Sequence, residues 1–501
     1  MGRATQPFAM NLFSPKADMA VVRECFMEQV KTDPRVRYTD MLACNGVDLS
    51  ARLAALRVPT LVITGRDDHF APPDKAEAVQ RRVTRRAPGG DRRRRPHADQ
   101  RAAGGVQRRG RAVPGGAAAM SALDRAVIAG VYEHPTRWAP DKTQFQICAE
   151  AARGALADAG LRIADVDGFL TAGVGPIGIM TLAEHLNLTP RFHDGTNIGG
   201  SSFVAHVLHA AAAIAAGLCE TALIVYGSTA SSERFAVGTG GLTAGDAPDQ
   251  FEVPFGPTVL NSYALVAQRH MHEFGTTSEQ LAEIAVTMRR HAGLNPRAKY
   301  RDPITVADVL ASRVVSSPLH LLDCCIISDG GGAIVVTSAA RARDLAKPPV
   351  RILGGSESLC HTAMGVRDLT DMAARESGPR ALAMAGARHD DVDLCMLYDS
   401  FTITVLLTLE SLGFCAKGEG GAFVQHGRLA LGGALPTNTD GGGLSSNHPG
   451  MRGIFLVIEA VRQLRGECGP RQVADCAVAL CHGTGGMLGL RHSGVTLVLG
   501  R

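Results

Sequence analysis

The pattern that most constrains the fold is an alternation of apolar runs and helix-like segments from about residue 120 to the end of the chain. Residues 126–131 form a short apolar run typical of a strand, and residues 144–159 form an alanine-rich segment typical of a helix. Similar apolar runs recur at residues 329–337 and 494–500. Alternating strands and helices are typical of the α/β class. Because an apolar run of this kind ends the alternation twice, at residues 329–337 and 494–500, the pattern predicts two similar α/β halves.

The boundaries of these halves follow from the same pattern. We assign residues 120–344 to the first half and residues 345–501 to the second. Within the first half, residues 231–313 are polar, contain prolines and are less regular. Long irregular segments inside a compact domain often cover functional sites. We therefore expect a loop domain at about residues 231–313 that covers a site.

Residues 1–80 carry a different signal. An apolar, β-branched run at residues 58–64 leads into the acidic pair Asp67 and Asp68. This segment resembles the late part of an α/β-hydrolase, in which such a strand carries the acid of a Ser-His-Asp triad. No Gly-x-Ser-x-Gly motif precedes the strand, and His97 lies in an arginine-rich tract. We therefore expect a hydrolase-like C-terminal fragment without hydrolase activity.

Residues 81–119 are dominated by Arg, Gly, Ala and Pro and contain few large apolar side chains. Such a composition predicts a disordered linker. The arginine run at residues 92–95 could bind nucleic acid, but no aromatic residues are interleaved with it, and we do not expect a nucleic-acid partner. Because Met120 resembles an independent start, a further hypothesis is that residues 81–119 are an out-of-frame or fused reading between two coding regions.

Composition limits the broad class of the protein. The chain has 501 residues, 45% of them hydrophobic, which is enough for more than one buried core. No apolar run is long enough to span a bilayer, and no signal peptide is recognisable. We therefore expect a cytoplasmic protein without a membrane span. The 12 cysteines are scattered without a framework, which favours reduced thiols over disulfides.

Two glycine-bracketed histidines lie near the end of the chain. His448 belongs to the motif Asn-His-Pro-Gly at residues 447–450, and His482 belongs to Cys-His-Gly-Thr-Gly-Gly at residues 481–486. Glycines let backbone N–H groups approach a ligand closely, and a histidine can move a proton near neutral pH. The two motifs therefore predict an active site.

These motifs, together with residues 324–333 and 398–401, give residues 120–501 a resemblance to the thiolase superfamily. The resemblance is to its sterol-carrier-protein or lipid-transfer-protein type. It implies two βαβαβαββ halves in a five-layered αβαβα sandwich, usually paired as a homodimer. It also implies an acyl-CoA substrate, with coenzyme A as part of that substrate and no metal or redox cofactor.

The resemblance also implies roles for individual residues. His448 matches the histidine that, with a bound water, supports the thioester oxygen, and Asn447 beside it is a candidate substrate-binding residue. Cys481 matches the acid/base cysteine, His482 matches the histidine of sterol-carrier-type members, and Gly483 matches a backbone oxyanion donor. Structural alternatives remain, because His448 could cap a helix and Cys481 could be a small buried hydrophobe.

One departure from the family pattern decides the predicted reaction. Thiolases begin one helix with a nucleophilic cysteine, and Gly199 stands at that position in this sequence. Glycine has no side chain to acylate, so Gly199 can contribute only its backbone to an oxyanion site. Ser201 and Ser202 are candidate substrate-binding residues, but a serine without a neighbouring base is a poor nucleophile. Both serines also suit the start of a helix.

With the oxyanion apparatus present and the nucleophile absent, the predicted chemistry is stabilisation of an enolate. We expect retro-aldol cleavage of a β-hydroxyacyl-CoA, as in thiolase-like aldolases that act with a small OB-fold partner containing a zinc ribbon. Tyr398 is the candidate proton carrier, with Asp399 or His482 as helpers, although Tyr398 could equally pack its ring at a strand end. The alternatives are an acyl-CoA acyltransferase and a non-catalytic subunit that binds CoA esters or lipids.

Overall fold

The computed structural model describes residues 122–501 except 176, 235–257, 346 and 364. All of these residues belong to one unit of the chain, Gly115–Arg501. The hydrolase-like fragment, the linker and part of the loop domain predicted from the sequence lie outside the described residues. Among the described residues, no helix combines the length and the apolar character needed to cross a bilayer.

Eleven strands are found in this part of the chain. Nine of them form one sheet in the order β3-β2-β4-β7-β1-β8-β11-β10-β9, and β5 and β6 form a separate hairpin. The strands are β1 Ala126–Glu133, β2 Gly168–Thr171, β3 Phe192–Asp194, β4 Thr221–Ser228, β5 Val314–Ser316, β6 Leu319–His320, β7 Gly330–Ser338, β8 Val350–His361, β9 Leu394–Leu397, β10 Val478–Met487 and β11 Arg491–Gly500.

The described residues also contain ten α-helices. These are α1 Gln144–Ala159, α2 Gly178–His185, α3 Ser202–Ala215, α4 Val259–Phe274, α5 Ser278–Leu294, α6 Val306–Ala311, α7 Ala374–Ala385, α8 Thr402–Leu412, α9 Gly420–Phe423 and α10 Gly453–Arg465. Short 3₁₀ turns and one π-helical turn, Gly442–Ser446, connect several of them.

The two predicted halves meet within the nine-stranded sheet. Strand β1 of the first half pairs with β8 of the second through only two residue pairs, Val127 with Arg351 and Ile128 with Val350. Helices α3 and α10 share one core with strands of both halves, whereas α1 packs on the other face of the first half. Helices α7 and α8 pack on the other face of the second half. The layers therefore follow the order helix, sheet, helix, sheet, helix, which is the order that the resemblance implied.

Local signals define helix α1 as the sequence predicted. The Thr143 hydroxyl accepts a hydrogen bond from the backbone N–H of Gln146, and the backbone N–H of Thr143 donates to the side-chain oxygen of Gln146, which forms a capping box. Gly160 ends the helix with a φ of 70°, a conformation that glycine adopts without steric cost. The amphipathic pattern between these two caps therefore forms one helix.

The described part of the predicted loop domain is more regular than the sequence indicated. Helices α4 and α5 fill most of residues 258–294, and capping boxes at Thr258 and Thr277 begin them. Their buried residues pack against the second half, in the same core as α8. The polar composition reflects the exposed faces of these helices and does not indicate a lack of secondary structure.

Candidate active site

A cavity of about 780 Å³ lies where four segments of the chain meet. These segments are the 3₁₀ turn before α3, the residue that follows β9, the loop before α10 and the carboxyl end of β10. Helix α4 and the β5–β6 region complete the wall, which is mainly apolar. The apolar lining residues are Val259, Leu260, Tyr263, Val314, Val315, Leu321, Ile327, Phe401 and Met451.

Tyr398 and His448 form a hydrogen-bonded pair in the wall of this cavity. The Tyr398 hydroxyl lies 3.0 Å from His448 Nε2, and the two rings are nearly perpendicular. The same hydroxyl accepts a hydrogen bond from the backbone N–H of Arg452 at 3.3 Å. Its own proton is then free to be donated to His448, or to the carbonyl of Gly450 at 3.3 Å.

Both members of this pair are uncharged near neutral pH. Burial, with a smaller contribution from the nearby Arg452 charge, lowers the pKa of His448 to about 4. Burial also raises the pKa of Tyr398 well above its usual value. A neutral imidazole can accept a proton, and a neutral phenol can give one up while it takes another.

The chain leaves no room for a nucleophile at the start of α3. Gly199 has a φ of 70°, and a Cβ atom on it would lie 2.6 Å from the backbone nitrogen of Gly486. A Cβ atom on the next residue, Gly200, would lie 2.2 Å from the ring of Tyr398. The tyrosine ring therefore occupies the space that a side chain at position 200 would need.

The two serines that follow stabilise the turn and do not line the cavity. The Ser201 hydroxyl lies 2.6 Å from the Ser493 hydroxyl and donates to the carbonyl of Ile198. The Ser202 hydroxyl donates to the carbonyl of Gly199 at 2.7 Å and accepts from the Ile198 N–H. Both serines are buried, and their hydrogen bonds hold the backbone on which the cavity is built.

Asp399 lies behind Tyr398 and anchors the loop that carries His448. Its carboxylate accepts hydrogen bonds from the backbone N–H groups of Gly443 at 2.7 Å and Leu444 at 3.2 Å, and it pairs with Arg452 at 3.2 Å. Burial raises the pKa of Asp399 to about 6, against the opposing effect of the Arg452 charge. Asp399 positions the loop and does not line the cavity.

Asn447 belongs to the same buried network. Its side-chain amide donates to Glu133 at 2.9 Å, and its side-chain oxygen accepts from the guanidinium of Arg452. Arg452 also pairs with Asp440 at 2.5 Å. Asn447 therefore holds the backbone next to His448 in place from behind the cavity wall.

The structure does not bring Cys481, His482 or Gly483 to the cavity wall. The Cys481 thiol points into the core and donates weakly to the carbonyl of Leu456 at 3.6 Å, and burial raises its pKa. Nδ1 of His482 lies 2.8 Å from the Thr496 hydroxyl, and burial lowers the pKa of His482 to about 3. A side chain at position 483 would collide with Ser201, so the missing Cβ of Gly483 allows β10 to approach α3 closely.

Sequence reasoning missed several residues of the cavity. Thr484, Cys324 and Cys325 line it. All three belong to the motifs at residues 324–333 and 481–486, but the sequence does not indicate which residues of these motifs face a cavity. The walls contributed by α4 had no comparable signal, because apolar residues on a helix are more often part of a core. Gly200 is recognisable only in three dimensions, where the ring of Tyr398 lies against it. Among the described residues, no group of three or more metal-ligating side chains is arranged to hold a metal.

Comparison with known proteins identifies the family. The family model described as "Thiolase C-terminal domain-like" matches residues 365–501. The steroid side-chain-cleaving aldolase of Thermomonospora curvata is 37% identical over 358 residues, which cover 68% of this chain and 90% of that protein. The chain belongs to the thiolase superfamily.

Two further similarities are informative. An acetyl-CoA acetyltransferase of Methanothermobacter thermautotrophicus is 34% identical over 345 residues, which cover 67% of this chain and 90% of that protein. The structure of the Ltp2-ChsH2(DUF35) aldolase superimposes with a TM-score of 0.68 and 35% identity, and it covers 76% of this chain and 98% of that chain. This superfamily protein therefore has relatives named as an aldolase and as an acyltransferase, and both are enzymes.

Proposed function

We propose that this protein is a thiolase-superfamily lyase that cleaves a β-hydroxyacyl-CoA by a retro-aldol reaction. The observation that carries the proposal is the Tyr398–His448 pair, which faces a cavity whose usual nucleophile position is occupied by glycine. A thiolase needs a side chain that carries the acyl group, whereas a retro-aldolase needs only proton transfer and stabilisation of an enolate.

In the proposed reaction the proton of the substrate hydroxyl moves to Tyr398 while Tyr398 passes its own proton to Nε2 of His448. The Cα–Cβ bond then breaks, a ketone or aldehyde forms at Cβ, and the electron pair moves to the thioester enolate. The positive charge of the imidazolium formed at His448 stabilises the negative charge on the enolate oxygen. The proton finally returns through Tyr398 to Cα, so the reaction neither consumes nor releases a proton.

The apolar walls of the cavity are suited to bind a bulky, apolar acyl group. A volume of about 780 Å³ is within the range of pockets that enclose whole small-molecule ligands. The relative in Thermomonospora curvata is named for cleavage of a steroid side chain, and we propose the same substrate class here. Coenzyme A would then be bound as part of the thioester, with no other cofactor.

A partner protein is part of the proposal. The similar solved structure is an aldolase assembled with a DUF35 protein, and we propose that a partner of that type, together with a second copy of this chain, forms the active assembly. Light scattering on the purified chain, alone and with such a partner, measures both associations.

Acyl transfer is the second candidate, because one relative is an acetyl-CoA acetyltransferase. Among the cavity residues, only Cys324 and Cys325 carry thiols, and burial raises the pKa of both, that of Cys324 to about 12. A thiol is a nucleophile only as the thiolate, so these cysteines are poorly suited to carry an acyl group.

The decisive experiment compares two substrates with the purified protein, alone and with the DUF35-type partner. We expect a branched β-hydroxyacyl-CoA to give a carbonyl product and a shortened acyl-CoA, and a β-ketoacyl-CoA with free CoA to remain unchanged. His448→Ala should lower the cleavage rate about a hundredfold or more. Thiolysis by the unmodified protein would refute the proposal, and failure of both reactions in the presence of the partner would leave only a binding role.

A further inference from the structure

The loop before α10, which carries His448, is held by two tyrosine hydroxyls, one from each half of the molecule. Tyr398 follows β9 of the second half, and its hydroxyl lies 3.0 Å from His448 Nε2 and 3.3 Å from the carbonyl oxygen of Gly450. Tyr226 belongs to β4 of the first half, and its hydroxyl also contacts this loop. Tyr398 already belongs to the proposed proton relay, whereas Tyr226 has no role in it.

The Tyr226 hydroxyl makes two hydrogen bonds to the loop. It donates to the carbonyl oxygen of Pro449 at 2.6 Å and accepts from the backbone N–H of Met451 at 3.0 Å. Between these two residues, Gly450 turns the chain with a φ of 105°, and a Cβ atom there would lie 3.3 Å from the same hydroxyl. One side chain of the first half therefore fixes the turn that directly follows His448.

Tyr226 is itself held rigidly. Its strand, β4, pairs with β2 on one side and with β7 on the other, and only 4% of the Tyr226 surface is exposed. The ring packs on Phe203 of α3, with the ring centroids 4.8 Å apart. Burial raises the pKa of Tyr226, so its hydroxyl keeps its proton and remains a donor near neutral pH. Because Tyr226 does not line the cavity, any effect it has on a bound substrate passes through other residues.

The position of the loop decides whether Nε2 of His448 can exchange a proton with Tyr398. Nδ1 of His448 has no hydrogen-bond partner among the described residues, so no hydrogen bond orients the ring from its other side. The backbone N–H of His448 is held by the Ser328 hydroxyl at 3.0 Å, and the residues that follow are held by Tyr226. Proton transfer needs a separation of about 2.6–3.2 Å, and a misplacement of about 1 Å can cost about a hundredfold in rate.

We propose that Tyr226 is a positioning residue for the reactive pair. Its hydroxyl fixes residues 449–451 and thereby keeps Nε2 of His448 within hydrogen-bond distance of the Tyr398 hydroxyl. This inference rests on the proposed function, because that function assigns the proton transfer between Tyr398 and His448. It follows that a strand of the first half controls the geometry of a reactive pair that belongs to the second half.

A purely structural role for Tyr226 is the competing explanation. Tyr226→Phe leaves a buried carbonyl and a buried N–H unpaired, which costs about 1–3 kcal/mol of stability whether or not the reaction depends on them. A lower stability alone does not distinguish positioning from packing. The distinction has to come from the reaction rate and from the geometry of the reactive pair.

The test variant is Tyr226→Phe, which keeps the ring that packs on Phe203 and removes the hydroxyl. The matched control is Thr221→Val at the start of the same strand, which removes a buried hydroxyl that lies 2.8 Å from that of Thr337. We expect both variants to lose stability in urea unfolding, and only Tyr226→Phe to lower kcat for retro-aldol cleavage, by about 10- to 100-fold. The affinity for a saturated acyl-CoA should stay within about threefold, because Tyr226 does not line the cavity.

A double-mutant cycle with His448→Ala separates positioning from a general loss of stability. If Tyr226 acts by placing His448, Tyr226→Phe should change the residual rate of the His448→Ala variant by less than about twofold. A further loss of about 10-fold in the double variant would overturn the proposal, because Tyr226 would then act independently of His448. So would a kcat of Tyr226→Phe within about twofold of the original, or an equal fall of kcat in Thr221→Val.

A crystal structure of Tyr226→Phe gives a readout that does not depend on activity. We expect the distance between the Tyr398 hydroxyl and His448 Nε2 to exceed about 3.5 Å, and an unchanged distance of 3.0 Å would overturn the proposal. If the unmodified protein shows no retro-aldol cleavage but this distance increases in the variant, the positioning role stands without the proposed reaction. If cleavage occurs and the variant keeps both kcat and the distance, only the role of Tyr226 is refuted.

Discussion

At the residue scale, the chemistry depends on what fills the space at the start of helix α3. Gly199 and Gly200 leave no side chain there, and the ring of Tyr398 lies where one would project. The hydroxyl of that ring lies 3.0 Å from His448 Nε2. The absence of a side chain at positions 199 and 200 and the position of the Tyr398 hydroxyl beside His448 are therefore parts of one packing arrangement.

The first prediction concerns Tyr398. Tyr398→Phe removes the proposed proton carrier and keeps the ring that packs on Gly200, so we expect kcat for retro-aldol cleavage to fall by about 10²- to 10⁴-fold. The change also leaves the buried N–H of Arg452 without its partner, so we expect a loss of stability of about 1–3 kcal/mol. The measurement is steady-state kinetics together with a thermal melt. Tyr300→Phe, at a partly exposed position outside the cavity, is the matched control. A kcat within threefold of the original would contradict the assignment.

The second prediction tests the packing at Gly199. Gly199→Ala should destabilise the protein more than Gly217→Ala, although both glycines have a φ between 70° and 75°. A Cβ atom at Gly217 meets nothing within 4 Å, whereas at Gly199 it meets Gly486 at 2.6 Å. The left-handed conformation costs about 1–2 kcal/mol in each variant. Urea unfolding measures the difference, and equal stabilities would show that Gly199 has room for a side chain.

At the scale of elements, the cavity depends on a π-helical turn that a buried carboxylate holds in place. Asp399 accepts two backbone hydrogen bonds from the turn Gly442–Ser446 and pairs with Arg452, just before α10. The backbone N–H of Arg452 in turn donates to the Tyr398 hydroxyl. The turn, the strand end and the helix start therefore form one buried polar network.

The third prediction follows from this network. Asp399→Asn keeps one acceptor but places an amide donor against a backbone N–H and weakens the pairing of Arg452. Breaking a buried ion pair by changing one partner costs about 3–5 kcal/mol, and the remaining Asp440 places the expected loss near the lower end. Urea unfolding measures it. Glu376→Gln, in an exposed pair with Arg380, should change stability by less than about 1 kcal/mol; a comparable loss in both variants would contradict the prediction.

At the scale of the whole molecule, burial lowers the pKa of four histidines. Burial lowers the pKa of His206, His448 and His492 to about 4 and that of His482 to about 3. Their ordinary value is near 6.5. Between these values the unfolded chain binds more protons than the folded one, so the folded state loses stability as the pH falls.

The fourth prediction is the resulting pH dependence. The contribution of these histidines to the free energy of unfolding should be complete above about pH 6.5, and it should decrease as the pH falls from 6.5 towards 4. Asp399, Asp323 and His209 have the opposite sign, because their raised pKa values make the folded state hold their protons. The four imidazoles, however, act together with carboxyls whose pKa is lowered in the folded state, such as Glu133 and Asp194. Thermal melts at pH 7.5, 6 and 4.5 measure the effect. A melting temperature that rises towards pH 4.5 would contradict it.

The sequence by itself determined the fold class, and through the family resemblance it predicted two halves and a glycine, Gly199, in place of the usual nucleophile. Caps such as Thr143 and Gly160, and apolar periodicity, act within one element and can be read locally. Only the tertiary structure decided which motif residues share a surface. Neighbours in a strand point to opposite faces, and contacts such as that of Tyr398 with Gly200 join residues distant in sequence. Tyr398, His448 and Thr484 line the cavity, whereas Cys481 and His482, which precede Thr484 on β10, do not.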